Sequence, residues 1–269
     1  MSNLQLRLLT AAVGLPLITG VAWLGGWLFA LVVAAIGLLA AMEFVHGWLI
    51  PTMPIRQAIT HLPMFAIAPA TAAAAHVEPA WVWGGAAFAL LFGLLGYLPA
   101  NTIVGPRKPY RVYAWCVVYL GLLLATFVLV RDLDEGRKWF FLGLLATFAC
   151  DTGAYATGRL IGRHKMAPAI SPKKTWEGAV GGTLAAVAAV FLINSWFETG
   201  VAVGTIWPLA IAVPPAAIIG DLVESWMKRR MGVKDASGLL PGHGGFMDRL
   251  DSLLFVFPVL YVFLQLRVF

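Results

Sequence analysis

Charge is scarce in this chain. Only 12% of its 269 residues are Asp, Glu, Lys or Arg, against about 25% in an ordinary soluble domain. Sixty per cent are hydrophobic, more than a globular core of this length can hide, because surface falls too slowly with size. There is no internal repeat, no low-complexity tract and no stretch with the composition of a soluble domain. Those absences exclude a solenoid, a biased tail and an appended soluble module. Cysteine is equally sparse. Cys116 and Cys150 lie in apolar runs with no metal-ligand spacing, so they read as free, buried, small side chains.

What the chain has instead is long apolar runs. Ala30 to Met42 and Trp81 to Ala100 carry no charge, and a helix crossing the roughly 30 Å hydrocarbon core needs about 20 such residues. Turn residues, loop prolines and charges divide the sequence into about nine spans, at 7–25, 27–48, 57–76, 79–99, 110–130, 138–160, 176–196, 205–229 and 248–268. The fold expected is an all-α integral membrane bundle of about nine helices. It forms a single membrane domain, 1–269, with little motif content in 1–136 and the motif-bearing spans and loops in 137–269. The first two spans, parted by Gly25–Gly26, should form a tight hairpin. Arg7 followed by an apolar stretch imitates a signal peptide but reads as an uncleaved first helix.

The net charge of +6 marks topology rather than nucleic-acid binding. With the N-terminus inside, fifteen of the nineteen Lys and Arg fall on the inner side, Arg56, Arg107, Lys108 and Arg111 among them. Arg131, Arg137, Lys138 and Arg267 fall outside, Arg131 in what reads as a solvated turn with Asp132, Asp134 and Glu135. That asymmetry predicts an N-in, C-out chain, which an odd number of spans satisfies.

Two inner loops stand apart. In the first, Lys173 and Lys174 precede the seventh span, where the helix dipole favours negative charge. A bound anion would resolve the conflict; taken alone, the pair equally suits anchoring at anionic headgroups. In the second, the eighth span ends with Asp221, Glu224, Ser225 and Lys228 on one helical face. Glu224 and Lys228 match an i, i+4 ion pair. Asp221 lies inside the end of a span, where a carboxylate needs a partner or a wet cavity. A glycine-rich stretch, Ser237 to Gly245, follows, and Asp248-Arg249-Leu250-Asp251 opens the last span. Glycines let backbone N–H groups approach an anion. Asp248 and Asp251 should share one side of a first helical turn; one of them could serve as an N-cap. Two carboxylates beside Asp221 repel unless a cation lies between them, and all-oxygen ligation suits Mg²⁺. Arg249 offers a planar fork for phosphate. His243 reads as a hydrogen-bonding loop anchor. Asp151, within the sixth span, either lines the same cavity or makes a buried structural hydrogen bond.

From Ser225 to Asp251 the chain reads S-W-M-K-R-x4-K-D-A-S-G-L-L-P-G-H-G-G-F-M-D-R-L-D. With Asp151-Thr152-Gly153-Ala154-Tyr155 and Ser171-Pro172-Lys173-Lys174-Thr175-Trp176-Glu177-Gly178, this resembles the phosphatidate cytidylyltransferases, or CDP-diacylglycerol synthases. The resemblance is sharp over roughly the last 120 residues and rests on apolar spans before that. It implies that CTP and phosphatidic acid give CDP-diacylglycerol and pyrophosphate with Mg²⁺, at the cytoplasmic face of a bacterial inner membrane.

On that resemblance Asp221, Asp248 and Asp251 would ligate the metal, and Lys228, Arg229 and Arg249 would join them in catalysis. Lys173, Lys174, Thr175, Ser225, Lys234, His243, Gly244 and Gly245 would bind substrate phosphates; Asp151, Glu177, Glu224 and Asp235 would line the cavity. Partners are CTP, phosphatidic acid and the bilayer, with no nucleic acid. A homodimer and a second, monovalent cation stay open. Two rivals remain: a transporter, using Asp151, Asp221 and a helix broken at Pro214–Pro215, and a CTP-dependent kinase of a lipid alcohol.

Overall fold

Lipid offers no hydrogen-bond partner to the backbone, so apolar runs of this length have to satisfy their N–H and C=O groups as helices. The computed structural model describes residues 3–49, 70–71, 73–82, 84, 87, 115–239 and 244–266. Most of the expected spans 57–76 and 79–99 lies outside the described residues, as do Arg56, Arg107, Lys108, Arg111, His243 and Arg267. Among the described residues four helices are long and apolar enough to cross a membrane: Gly26–Trp48, Gly136–Leu160, Trp176–Trp196 and Val203–Met231. The chain divides into two compact units, one of residues 1–132 and 235–248, the other of 133–234 and 249–269.

The first unit contains α1 (Asn3–Leu24), α2 (Gly26–Leu49), a π-helical turn (Val117–Leu122) and α3 (Leu123–Asp132). Gly25 and Gly26 form the expected hairpin corner, with φ of 71° and 60°, values that only glycine adopts without strain. The turn at the end of α3 is solvated as expected at Asp132, Asp134 and Glu135, while Arg131 is half-buried. Its Nε donates to Ala22 O at 2.7 Å and its Nη2 to Trp23 O at 2.9 Å. It thereby satisfies carbonyls that the last turn of α1 leaves without intrahelical partners. Asp132 likewise pairs with His76 at 2.6 Å. The α2 helix packs on α3 and the π-helical turn, with Phe44 stacked on Tyr119 at 6.1 Å between ring centres.

The second unit is built from α4 (Gly136–Leu160), a hairpin of β1 (Lys165–Ala167) and β2 (Ser171–Thr175), α5 (Trp176–Trp196), α6 (Val203–Met231) and α8 (Leu253–Leu266). A helical turn, α7 (Met247–Leu250), precedes α8 in the chain. Between helices in lipid the hydrophobic effect is weak and close backbone contact replaces it. The α4–α5 pair meets along small residues accordingly. A Cβ on Gly153 would lie 2.6 Å from Ala185 Cβ, and one on Gly182 would lie 2.7 Å from Cys150 O. Larger side chains at these positions would push the two helices apart. The α6 helix packs on α5 and α8, and α8 on α4, where Phe140 and Phe257 meet at 5.0 Å.

Two of the next three features differ from expectation, the hairpin and the broken last span. The loop before α5 contains an antiparallel hairpin, with Lys165 opposite Thr175 and Ala167 opposite Ser171. The α6 helix runs unbroken through Pro208, Pro214 and Pro215, as the expected span 205–229 has it and unlike the broken helix of the transporter reading, since neighbouring helices tolerate the lost N–H groups. The last expected span, 248–268, is interrupted: Asp251 and Ser252 form a turn between α7 and α8, with Ser252 N donating to Asp251 Oδ1 at 2.7 Å.

Candidate active site

The C-terminal end of α6 sets the site. Glu224 is completely buried and pairs with Lys228 Nζ at 2.6 Å, the i, i+4 pair that the spacing predicts. Ser225 Oγ donates to Asp221 Oδ1 at 3.4 Å. The turn at Asp251 approaches this face because Gly220 leaves room for it. A Cβ on Gly220 would lie 2.5 Å from Asp251 O and 3.1 Å from Ser252 Cα. One oxygen each from Asp221, Glu224 and Asp251 then lies within 4.8 Å of the others. Asp151, on α4, hydrogen-bonds the Ser252 side chain and lies within electrostatic reach of Asp221, Lys174 and Arg249.

Like charges about 4 Å apart cost roughly 4 kcal/mol at an effective dielectric near 20. Two ammonium groups offset part of that repulsion. Lys174 Nζ lies 2.7 Å from Asp221 Oδ2, and Lys228 holds Glu224. An all-oxygen set of carboxylates is the donor chemistry of a hard divalent cation, and these three residues fit Mg²⁺. Glu224, placed at the cavity wall by the sequence, is a member of the set itself.

The hairpin explains how Lys174 arrives there. Successive side chains of a strand point to opposite faces, so β2 separates two lysines that are adjacent in sequence. Lys174 is half-buried against Asp221, whereas Lys173 is exposed. Thr175, buried, caps α5 by accepting from Gly178 N at 3.1 Å. Glu177 secures the other side of the hairpin. Its Oε2 accepts from Arg163 N at 3.1 Å, and its Oε1 lies 2.6 Å from His164 Nδ1. Arg229 Nε donates to Ile170 O at 3.1 Å, tying the end of α6 to the same hairpin. Arg249 and Lys234 are exposed, as is Asp235.

Asp248 has different company. It lies in α7, which ends at Leu250, so Asp248 and Asp251 are not on one helical turn as the sequence suggested. In the first unit Asp248 Oδ2 accepts from Gly245 N at 2.7 Å and Ala236 N at 3.0 Å. Gly244, with φ of 81°, provides the left-handed residue that bends the loop toward it. His243 lies outside the described residues.

Glu43, a residue of α2 that sequence reasoning passed over, meets the same loop. It accepts from Ser237 Oγ at 2.6 Å, Phe246 N at 3.0 Å and Met247 N at 2.9 Å. The signal was available. The charge-free run from Ala30 to Met42 stops at Glu43, and an ionisable residue inside a span is a functional candidate by default.

A carboxylate cluster with a hard-cation donor set, flanked by lysines at the end of membrane-length helices, is suited to phosphate chemistry on a lipid. Relatedness points the same way. The phosphatidate cytidylyltransferase of Staphylococcus epidermidis is 32% identical over 264 residues, 97% of this chain and 99% of that protein. That of Brucella suis is 35% identical over 278 residues, covering 98% and 94%. That of Mycobacterium bovis is 44% identical over 126 residues, 45% of this chain and 39% of its own. A family model described as "Cytidylyltransferase family" matches residues 5–267. With that match spanning nearly every residue, the helices as well as the motif loops, the chain belongs to the cytidylyltransferase family.

Proposed function

We propose that this chain is a phosphatidate cytidylyltransferase, joining CTP and phosphatidic acid into CDP-diacylglycerol with release of pyrophosphate. The observation that carries the reading is the cluster of Asp221, Glu224 and Asp251 beside Lys174 and Lys228, in a chain related along its length to proteins of that name. A phosphate oxygen of phosphatidate attacks the α-phosphorus of CTP. The bond from that phosphorus to the bridging oxygen breaks, and its electron pair leaves with pyrophosphate. The nucleophile is already an anion, so no strong general base is required.

Asp221, Glu224 and Asp251 would hold Mg²⁺, which when bound neutralises phosphate charge and stabilises the departing oxygen. Lys174 and Lys228, each fixed by a carboxylate, supply pre-positioned positive charge. Lys173, Arg229 and Arg249 present exposed cations to the phosphates of the incoming nucleotide. Asp248 enters through the motif, holding the glycine-rich loop whose backbone N–H groups can cradle an anion. Catalysis is then mainly positioning and charge stabilisation.

The diacylglycerol tails stay in the bilayer while the headgroup meets these loops at the interface. The distribution of Lys and Arg supports a nine-span, N-in, C-out chain with its site facing the cytoplasm, and the bacterial relatives support an inner-membrane location. The test is a radiolabel assay on detergent-purified protein with CTP, phosphatidic acid and Mg²⁺. Lipid-soluble CDP-diacylglycerol is expected from the wild type and not from Asp221→Ala. Absence of product across lipid and metal conditions would overturn the reading, and flux of a solute without CTP consumption would replace it with transport.

A further inference from the structure

One buried acidic residue has no part in the reaction above. Glu43 is the sole Asp or Glu among the first 77 residues and is 4% exposed near the end of α2. A carboxylate buried in such a helix is costly unless its lone pairs are met. Here both oxygens are engaged by donors from the glycine-rich stretch. Oε1 accepts from Ser237 Oγ and Phe246 N, and Oε2 accepts from Met247 N. Gly245 completes the fit, since a Cβ there would lie 2.5 Å from Oε2. Asp248 holds the same segment through Ala236 N and Gly245 N, and the loop runs directly in sequence into Arg249 and Asp251.

We infer that Glu43 is a positioning residue for the proposed cytidylyl transfer, its carboxylate fixing Ser237, Phe246 and Met247 so that the chain running on through Asp248 to Arg249 is set to meet a CTP phosphate. The inference rests on the function proposed above. An apolar residue of similar volume would fill the same space without the cost of burying a charge, so packing alone does not account for Glu43. Glutamine cannot replace it. Whichever way its amide is turned, an NH₂ group faces an N–H or O–H donor, and at least one loop donor loses its acceptor.

The test compares full-length wild type with Glu43→Gln in detergent, measuring kcat and KM for CTP and for phosphatidic acid. Thermal melting and hydrogen exchange across residues 244–247 are followed in parallel. Glu43→Gln is expected to raise KM for CTP about tenfold, the size of one lost charge-assisted bond. KM for phosphatidic acid should stay near wild type, with the melting midpoint lowered by only about 2–4 °C and faster exchange in the loop. Ser237→Ala removes one donor and leaves two, and a rise in KM for CTP of about threefold is expected. It keeps the inference testable if Glu43→Gln does not fold. A wild-type KM for CTP in the folded variants, or a loss of kcat that merely tracks the unfolded fraction, would overturn it. A wild type that makes no CDP-diacylglycerol would instead remove the proposed function, so the two failures are distinct.

Discussion

The two units use buried or half-buried carboxylates in opposite ways. In the first, Glu43 and Asp248 accept from backbone N–H groups and a hydroxyl. These donors are fixed in place and carry no net charge, so the carboxylates are satisfied as they stand and shape a loop. In the second, Asp221, Glu224 and Asp251 crowd one another within 4.8 Å, with Lys174 and Lys228 as their cations. Crowded carboxylates store repulsion that a cation relieves. On the function proposed above, the company an acid keeps is the guide to whether it holds a loop or a ligand. Asp248 and Asp251 are three residues apart and belong one to each unit.

The sharpest way to break this contrast is Asp221→Asn. The amide keeps the shape but removes the charge facing Lys174, and a loss of kcat of about 10²–10³-fold is expected, together with a higher Mg²⁺ requirement in a metal titration. Lys174→Met should follow, lowering kcat/KM by roughly 10–100-fold through loss of a charge-assisted contact. Lys173→Met, on the other face of β2, serves as its control and should cost less. Asp248→Asn should be milder still, about tenfold, because an asparagine oxygen can accept from the same two amides. If Asp248→Asn matched Asp221→Asn in both activity and Mg²⁺ dependence, the division into loop holder and ligand would collapse.

Much of this was legible in advance, and for a physical reason. Bilayer thickness sets helix length, so α2, α4, α5 and α6 end within two residues of the limits read from hydropathy. The acidic face of α6 followed from helical periodicity alone. The rest depends on contacts distant in sequence. Glu43 meets Phe246 and Met247 across 203 and 204 residues, a pairing that no local pattern encodes. The hairpin escaped notice because its strands are only three and five residues long. Missing it meant treating Lys173 and Lys174 as a pair, when strand alternation sends them apart. The break at Asp251–Ser252 reflects room left by Gly220 on a neighbouring helix, which the sequence of the last span does not contain.

Thr175→Ala has the smallest expected effect and probes the contrast from its neutral side. Thr175 is adjacent to Lys174, yet its Oγ1 accepts a hydrogen bond from within the protein, from Gly178 N at the start of α5. Its hydroxyl also lies against the close approach of α4 and α5: a Cβ on Gly158 would sit 3.1 Å from Oγ1. Losing an N-cap costs about 1 kcal/mol, which for a chain of this size lowers the melting midpoint by about 2–4 °C. KM for CTP should not change, because the cap holds the helix rather than the phosphate. Melting and steady-state kinetics on the same preparation decide the matter. A raised KM at an unchanged midpoint would mean that Thr175 contacts nucleotide, and the line between residues that shape the site and residues that meet the substrate would then pass on its other side.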